Sequence, residues 1–342
     1  MTNINATLKK YGKRYGIDAM GAMAQGLFAS LLIGTMIKTL GQQLSLDFLT
    51  SIGGDYASAM AGPAMACAIG YALKADPLVL FSLITVGFSS NKLGGAGGPL
   101  AVYFIAIIAS ELGQLVSKKT KVDIIVTPAV TIIAGVGLSM LIAPAIGTAA
   151  SAVGEMIKWA TTQQPFLMGI LVSVLVGIAL TLPISSAAIC AALSLTGLAG
   201  GAAVAGCCAQ MVGFAVMSFR ENGVGGLISQ GLGTSMLQMP NIIRNPRIWL
   251  PPILASAVTG PIATCIFKLE MNGPAVSSGM GTCGLVGQIG VITGWSETGY
   301  AAGAMDWLGL LLICFVLPAI LSVLFCLLFR RIGWIKDGDM KL

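Results

Sequence analysis

The chain has 342 residues, of which 56% are hydrophobic and only 9% charged, with a mean hydropathy of +0.90; a soluble domain carries roughly a quarter charged residues, so no water-soluble surface can be assembled from this composition. The net charge of +6 comes from short basic clusters between apolar segments instead of one basic face, and nucleic acid is not an expected partner. No histidine occurs anywhere, which removes imidazole metal ligation, Ser/His or Cys/His nucleophile pairs and phosphohistidine chemistry from this chain. The chain on its own therefore reads as having no catalytic group, cofactor or metal site.

Uncharged runs cover residues 124–154 and 163–219, each longer than the ~20 residues that cross a bilayer as a helix. The expected class is an all-α integral membrane protein, organised as one transmembrane domain over 1–342. Its eight cysteines fall nearly all inside apolar segments without a paired CxxC spacing, and read as small packing residues.

Basic clusters flanking short loops mark the cytoplasmic side. They are Lys9, Lys10, Lys13 and Arg14; Lys118, Lys119 and Lys121; Arg244 and Arg247; and Arg330, Arg331 and Lys336. Both termini are thus expected inside, with 1–18 a basic cytoplasmic segment and 332–342 a cytoplasmic tail. The segment 19–37, preceded by mostly polar residues and lacking a small-residue cleavage site, reads as a first span instead of a cleavable signal.

Spans at 19–37 and 56–73 make one excursion and spans at 77–88 and 100–117 a second. A fifth runs 124–146, followed by an amphipathic interfacial helix at 148–164, and a sixth returns over 165–182. The stretch 185–219 is too long for one helix, and Gly200-Gly201 at its middle predicts two short spans joined by a tight turn. Spans at 250–267 and 306–329 bring the total to about ten transmembrane helices, with every basic cluster inside.

Two apolar stretches rich in Gly, Ser, Thr and Gln are left over, 222–240 and 272–294. Gly disfavours a regular helix by about 1 kcal/mol relative to Ala, and irregular backbone at membrane depth is tolerated only within protein or along a wet cavity. Both are predicted to be re-entrant hairpins. They resemble each other: Arg220-Glu221-Asn222-Gly223 precedes Gly231-Leu232-Gly233-Thr234-Ser235-Met236-Leu237, and Lys268-Leu269-Glu270-Met271-Asn272-Gly273 precedes Gly279-Met280-Gly281-Thr282-Cys283-Gly284-Leu285. One span between them would make them inverted, an arrangement that places broken helix ends around a solute site.

Glu221, Asn222, Glu270 and Asn272 are candidate solute ligands, with Thr234, Gln238, Thr282 and Gln288 as neutral hydrogen-bonding groups. The plainer reading of each glycine is close helix packing. A third Gly-rich run, 89–99, carries Asn91 and Lys92. It lacks the GxxxxGK[ST] spacing and the preceding strand of a nucleotide loop, which leaves a tight turn or a polar lining where Lys92 meets an anion. Glu111, in an apolar span, is either a coupling carboxylate or an interfacial glutamate.

The motifs Asn91-Lys92-Leu93-Gly94-Gly95-Ala96-Gly97-Gly98-Pro99, Arg220-Glu221-Asn222-Gly223, Gln238-Met239-Pro240-Asn241 and Arg244-Asn245-Pro246-Arg247 resemble those of EIIC-like membrane proteins of the PfoR type. That branch is related to the sugar-translocating IIC subunits of bacterial phosphotransferase systems. The resemblance covers nearly the whole chain and implies an EIIC-like, glucose-superfamily-like fold of ten spans and two re-entrant hairpins in the bacterial cytoplasmic membrane, assembled as a homodimer. It implies a permease for a sugar or sugar-like solute, with elevator-type motion. In that family a His and a Glu contact the sugar and separate IIA and IIB proteins bring the phosphate; the missing histidine departs from the pattern. Two alternatives stay open: a IIC subunit working with a soluble IIB-type partner, and a membrane regulator of toxin or virulence gene expression.

Overall fold

The computed structural model describes residues 10–342; Lys9, the first residue of the N-terminal basic cluster, lies outside them. Among the described residues there are helices and turns and no named strand, only an isolated antiparallel bridge between Gly197 and Met271. Among the described residues six helical segments are long and apolar enough to cross a membrane: Gly12–Gln43, Pro77–Val116, Asp123–Thr161, Gly197–Met217, Pro246–Ile266 and Ala304–Arg331. Pro165–Thr181 is a shorter apolar helix. The chain divides into two compact units, with the boundary between Ala150 and Ser151.

In the first unit α1 (Gly12–Gln43) is followed by α2 (Ala61–Ala72), α3 (Pro77–Gly94), α4 (Gly98–Val116) and the first part of α5 (Asp123–Thr161). Pro77 begins α3, where a missing N–H costs nothing, and the helix stops at Gly95, whose φ of 51° is a left-handed value open to glycine. Pro99 then opens α4. The turn is thereby confined to Gly95–Gly97, and Asn91 and Lys92 belong to the last turn of α3, not to a loop. At the other end of the pair, Ser117 and Lys118 after α4 both hydrogen-bond Asp76 before α3. These bonds, that from Lys118 foremost, hold the Asp76 carboxyl below its ordinary value.

Close approach in this unit depends on small residues. A Cβ at Gly62 would collide with the Gly87 carbonyl, and one at Gly87 with the Gly62 carbonyl, so α2 and α3 touch backbone to backbone. Ser139 of α5 lies 2.8 Å from Ser90 and 3.1 Å from Ser89 of α3. Glu111 accepts from Arg14 at 2.6 Å, so its carboxylate is ion-paired.

One expectation is corrected at α5. Residues 148–164 do not form a separate interfacial helix; they continue the helix that starts at Asp123 as far as Thr161, with Pro128 and Pro144 inside it. Its 39 residues at ~1.5 Å each span about 58 Å, against ~30 Å of hydrocarbon. The polar end bearing Glu155 and Lys158 thus extends past the apolar thickness without a break.

The second unit is assembled around a helix of small residues. It contains α6 (Pro165–Thr181), α7 (Ser186–Ala192), α8 (Gly197–Met217), α9 (Phe219–Ile228), α10 (Met239–Arg244), α11 (Leu250–Pro261), α12 (Val286–Glu297) and α13 (Ala304–Arg331). The predicted turn at Gly200-Gly201 is the second correction: both glycines lie inside α8, and the break falls earlier, at Ser194 (φ 48°) and Gly197 (φ 63°). Both are glycine because neighbours approach closely, the Ser278 hydroxyl at Gly200 and main chain at Gly201. A Cβ at Gly201 would overlap the Leu269 carbonyl, and at Gly206 it would overlap the Ser173 carbonyl of α6. Val204, Ala205 and Cys208 of α8 then share one apolar core with Ala263, Leu269, Met271, Val291, Trp295, Leu310 and Ile313.

Overpacking of this kind costs about 1–3 kcal/mol, whereas an unobstructed helical Gly→Ala gains up to ~1 kcal/mol. Gly206→Ala should therefore lower the thermal unfolding midpoint in detergent by several degrees. Gly137→Ala, on α5 with nothing within 4 Å of the added methyl, should leave it unchanged or raise it.

Candidate functional site

The two Gly-rich stretches take different backbone forms because their acid and amide are spaced differently. In the first, Glu221 and Asn222 are adjacent and lie in α9, which breaks at Gly223 (φ 59°). The chain then continues through a wide turn over Ser229–Gly233 to an extended Thr234, where helical geometry resumes. In the second, polar and apolar residues alternate through Lys268-Leu269-Glu270-Met271-Asn272. That period of two is the strand pattern, and after a left-handed Lys268 (φ 47°) the chain forms an isolated antiparallel bridge at Met271. Met271 and Gly197 exchange both backbone hydrogen bonds, at 3.0 and 2.9 Å. Leu269 and Met271 are buried in the core while Lys268 and Glu270 are exposed and Asn272 half-buried.

This ledge forms one wall of a cavity of about 580 Å³ that is open on one side, within the ~300–1,000 Å³ usual for small-molecule sites. Lys268, Glu270 and Asn272 line it from the ledge, and Trp295, Tyr300 and Asp306 face them from the end of α12 and the start of α13. Asn272 Nδ2 donates to Glu270 Oε2 at 2.9 Å, which orients the carboxylate and leaves its second oxygen for a ligand. Asp306 Oδ2 accepts from the Gly303 N–H at 2.8 Å, capping α13, and from the Tyr300 hydroxyl at 3.1 Å. The hydrogen bond to Asp306, followed by the charge of that carboxylate, raises the Tyr300 phenol above its ordinary value. Trp295 is fixed by an edge-on contact with Trp307, their rings 5.2 Å apart.

Two carboxylates, an ammonium, an amide, a phenol and an indole in one open cavity suit a polyhydroxylated ligand. Carboxylate and amide oxygens accept from hydroxyls, amide and ammonium groups donate to them, and the aromatic rings offer apolar faces to C–H surface. Among the described residues no group of three or more Cys, Asp or Glu side chains converges that would hold a metal ion.

Deeper in the unit the two Gly-x-Gly-Thr motifs meet. Thr282 of the second donates to the Gly231 carbonyl of the first, and Thr234 accepts from the Met236 N–H at 3.1 Å to cap the turn that follows it. Gln288 donates to Cys208 Sγ at 3.2 Å, and its buried Oε1 has no partner. On the same central helix Gln210, fully buried, accepts from Thr181 at 3.2 Å and from the Trp249 indole at 2.9 Å, leaving its Nε2 unpartnered.

The ten residues singled out from sequence thus fall into four places. Glu270 and Asn272 line the open cavity. Thr234, Thr282 and Gln288 lie buried where the two Gly-rich stretches pack on α8. Glu221, Asn222 and Gln238 hydrogen-bond the C-terminal segment, with the Met340 N–H on Glu221 and the Met340 carbonyl on the two amides. Asn91 and Lys92 belong to the first unit, Lys92 exposed with its ammonium 5.8 Å from the centre of the Phe88 ring.

Sequence reading missed Lys268, Trp295, Tyr300, Asp306 and Gln210. The Trp295-Ser-Glu-Thr-Gly-Tyr300 run between two apolar segments and the one amide in the charge-free 163–219 stretch beyond Gln163 and Gln164 were signals available for them.

Comparison with curated proteins and with solved structures yields no match in either. The family model described as "Phosphotransferase system, EIIC" matches residues 17–342, nearly all of the chain, and the protein therefore belongs to the phosphotransferase-system EIIC family of multi-pass membrane permeases for sugar transport.

Proposed function

We propose that this permease carries a sugar or sugar-like solute and receives it in the cavity between the 268–272 ledge and the Trp295–Tyr300 wall. The observation that supports this most is the alternation of the ledge, which turns Glu270 and Asn272 toward the cavity and anchors Leu269 and Met271 in the core. Glu270 accepts solute hydroxyls with Asn272 holding its orientation. Trp295 and Tyr300 provide the stacking faces, and Lys268 extends the site to solutes bearing an anionic group.

Beyond the cavity, the Gly-x-Gly-Thr contact and the unpartnered amide atoms of Gln288 and Gln210 supply a neutral inner path. The two broken stretches act as opposed re-entrant hairpins, and the unit that bears them moves against a homodimeric scaffold in an elevator-type cycle within the cytoplasmic membrane. The positive φ values at Gly281, Gly284 and Leu285 support a hinge of the second stretch directly before α12. With no histidine in the chain, any phosphorylated histidine resides on separate IIA or IIB partners. Family membership favours such partners as the energy source.

Uptake of labelled sugars into liposomes containing the purified protein tests the reading. With soluble IIA, IIB and a phosphoryl donor inside the vesicle, accumulation of phosphorylated solute is expected; transport driven equally well by a proton gradient alone would replace the phosphotransferase coupling. Transport of nothing from a panel of sugars, sugar acids and sugar phosphates under either condition would remove the permease reading.

Hydrogen bonds to a charged group contribute about 1.5–3 kcal/mol. Glu270→Gln should accordingly weaken solute binding roughly 10- to 150-fold, while Glu155→Gln, on an exposed helix end that does not line the cavity, should leave it unaltered. Comparable losses in both would contradict the assignment.

The raised Tyr300 phenol also fixes a pH dependence. Because it titrates above its ordinary value near pH 10, its hydroxyl is protonated from about pH 6 to about pH 9, and solute affinity should be flat over that range as far as this group is concerned. Tyr300→Ala, which removes the stacking face, should lower affinity by a similar factor at both ends of that range. A tyrosine-dependent fall between those limits would show that Asp306 does not hold the proton in place.

A further inference from the structure

The C-terminal segment 334–342 is held largely through its backbone, by side chains more than 85 residues away in sequence, and in part through its own side chains: Asn245 donates to Asp339 at 2.8 Å, Arg330 pairs with Asp337, and Trp334 packs against Phe329 and Arg247. Glu221 accepts the Gly338 N–H at 3.1 Å on one oxygen and the Met340 N–H at 2.8 Å on the other. Asn222 donates to the Met340 carbonyl at 2.8 Å and accepts the Leu342 N–H at 2.8 Å. Gln238 adds a second donor to the Met340 carbonyl at 2.9 Å, Asn241 reaches the Lys341 carbonyl at 3.0 Å, and Asn245 the Trp334 carbonyl at 3.0 Å. The segment turns at Gly338 (φ 92°), and of its side chains only Ile335 and Met340 are buried.

These features are those of a bound peptide. Beside the buried Ile335 and Met340, one carboxylate and four amides read main-chain donors and acceptors, and Met340 is the anchor among them. Three of the cradle residues are also tied to others: Gln238 donates to Gln230 at 2.8 Å and receives Asn241 at 2.8 Å, and Arg330 at the end of α13 donates to Glu221 at 2.9 Å. The cradle therefore bridges both arms of the first Gly-rich stretch and the last helix. Its acid–amide pair, Glu221 and Asn222, is the counterpart of Glu270 and Asn272, which face an open cavity; in one copy of the repeat the pair holds the chain's own segment, and in the other it is free to meet a ligand.

We propose that the cradle of Glu221, Asn222, Gln238, Asn241 and Asn245 is a peptide-binding site for a short turn-forming segment with glycine followed two residues later by an unbranched apolar anchor. Residues 334–342 are its ligand in cis. While the segment is seated, it adds to the Arg330–Glu221 pair in latching the first Gly-rich stretch to α13; when it leaves, that pair alone remains, the stretch is loosened and the polar cradle opens to a second peptide of the same form.

Hydrogen exchange on the full-length protein in nanodiscs tests this without a transported solute. Met340→Asp introduces a charge at the buried anchor. It should speed amide exchange at least tenfold over 334–342 and also over 219–244, with α8 unaffected. A fluorescent synthetic peptide with the sequence of residues 334–342 should bind the Met340→Asp protein and bind at least tenfold more weakly when Glu221→Ala and Asn222→Ala are added. The wild-type protein should take it up only in competition with its own segment.

Asn222→Ala, a milder change that deletes two of the bonds, serves if Met340→Asp does not fold, and should speed exchange at Met340 and Leu342 several-fold. Faster exchange in the tail with 219–244 unaltered would overturn the latch. Peptide binding indifferent to Glu221 and Asn222, or exchange unchanged in Asn222→Ala, would overturn the site.

Discussion

The second unit depends on the near-complete burial of one helix, Gly197–Met217, whose surface is made of Gly, Ala and Cys over most of its length. A helix with so little side chain lets the backbone of its neighbours come into contact with it, as Leu269 does at Gly201 and Ser173 at Gly206. In lipid the hydrophobic effect does not draw helices together, and close van der Waals approach of small residues takes its place. The ledge that carries Glu270 exists because Leu269 and Met271 find room against this helix.

The second constraint is that backbone groups at membrane depth need partners inside the protein. Regular helices satisfy themselves; the two Gly-rich stretches do not. The second stretch is stitched to its surroundings by Ser186 donating to the Gly279 carbonyl at 2.7 Å, Ser278 to the Leu195 carbonyl at 2.6 Å, and the paired Gly197–Met271 bonds. The first meets the second through Thr282 and Gly231, and its outer end is closed by the C-terminal segment. Serine and threonine in these stretches thus replace missing helical bonds, which also explains why so few of the buried hydroxyls are left for a solute.

The bonds that support the broken stretches reach across the fold, from Thr282 to Gly231, from Ser186 to Gly279 and from the C-terminal segment to Glu221 and Asn222. The ledge, the Gly-x-Gly-Thr contact and the C-terminal cradle are three such points on one unit. They run from the open polar cavity to the residues that hold the first stretch to the last helix.

Much of this was legible in the sequence. Composition alone placed the chain in a membrane, because 9% charge cannot cover a soluble surface, and the repeated acid, Asn-Gly and Gly-x-Gly-Thr pattern located both irregular stretches and Glu270 with Asn272. What sequence could not supply was anything set by distant contact. Gly200-Gly201 looked like a turn because glycine is permissive for turns and for close packing alike, and only the Leu269 carbonyl above it shows which use applies. The helix past residue 147 was cut short because polar residues read as an interface, although nothing in the backbone stops it. Glu221 and Glu270 look equivalent in one dimension; their difference lies in a tail more than a hundred residues away for the one, and in Trp295, Tyr300 and Asp306 for the other. Periodicity and charge are local properties and were decided by the sequence, whereas the occupant of each acid–amide pair depends on which remote backbone the fold brings to it.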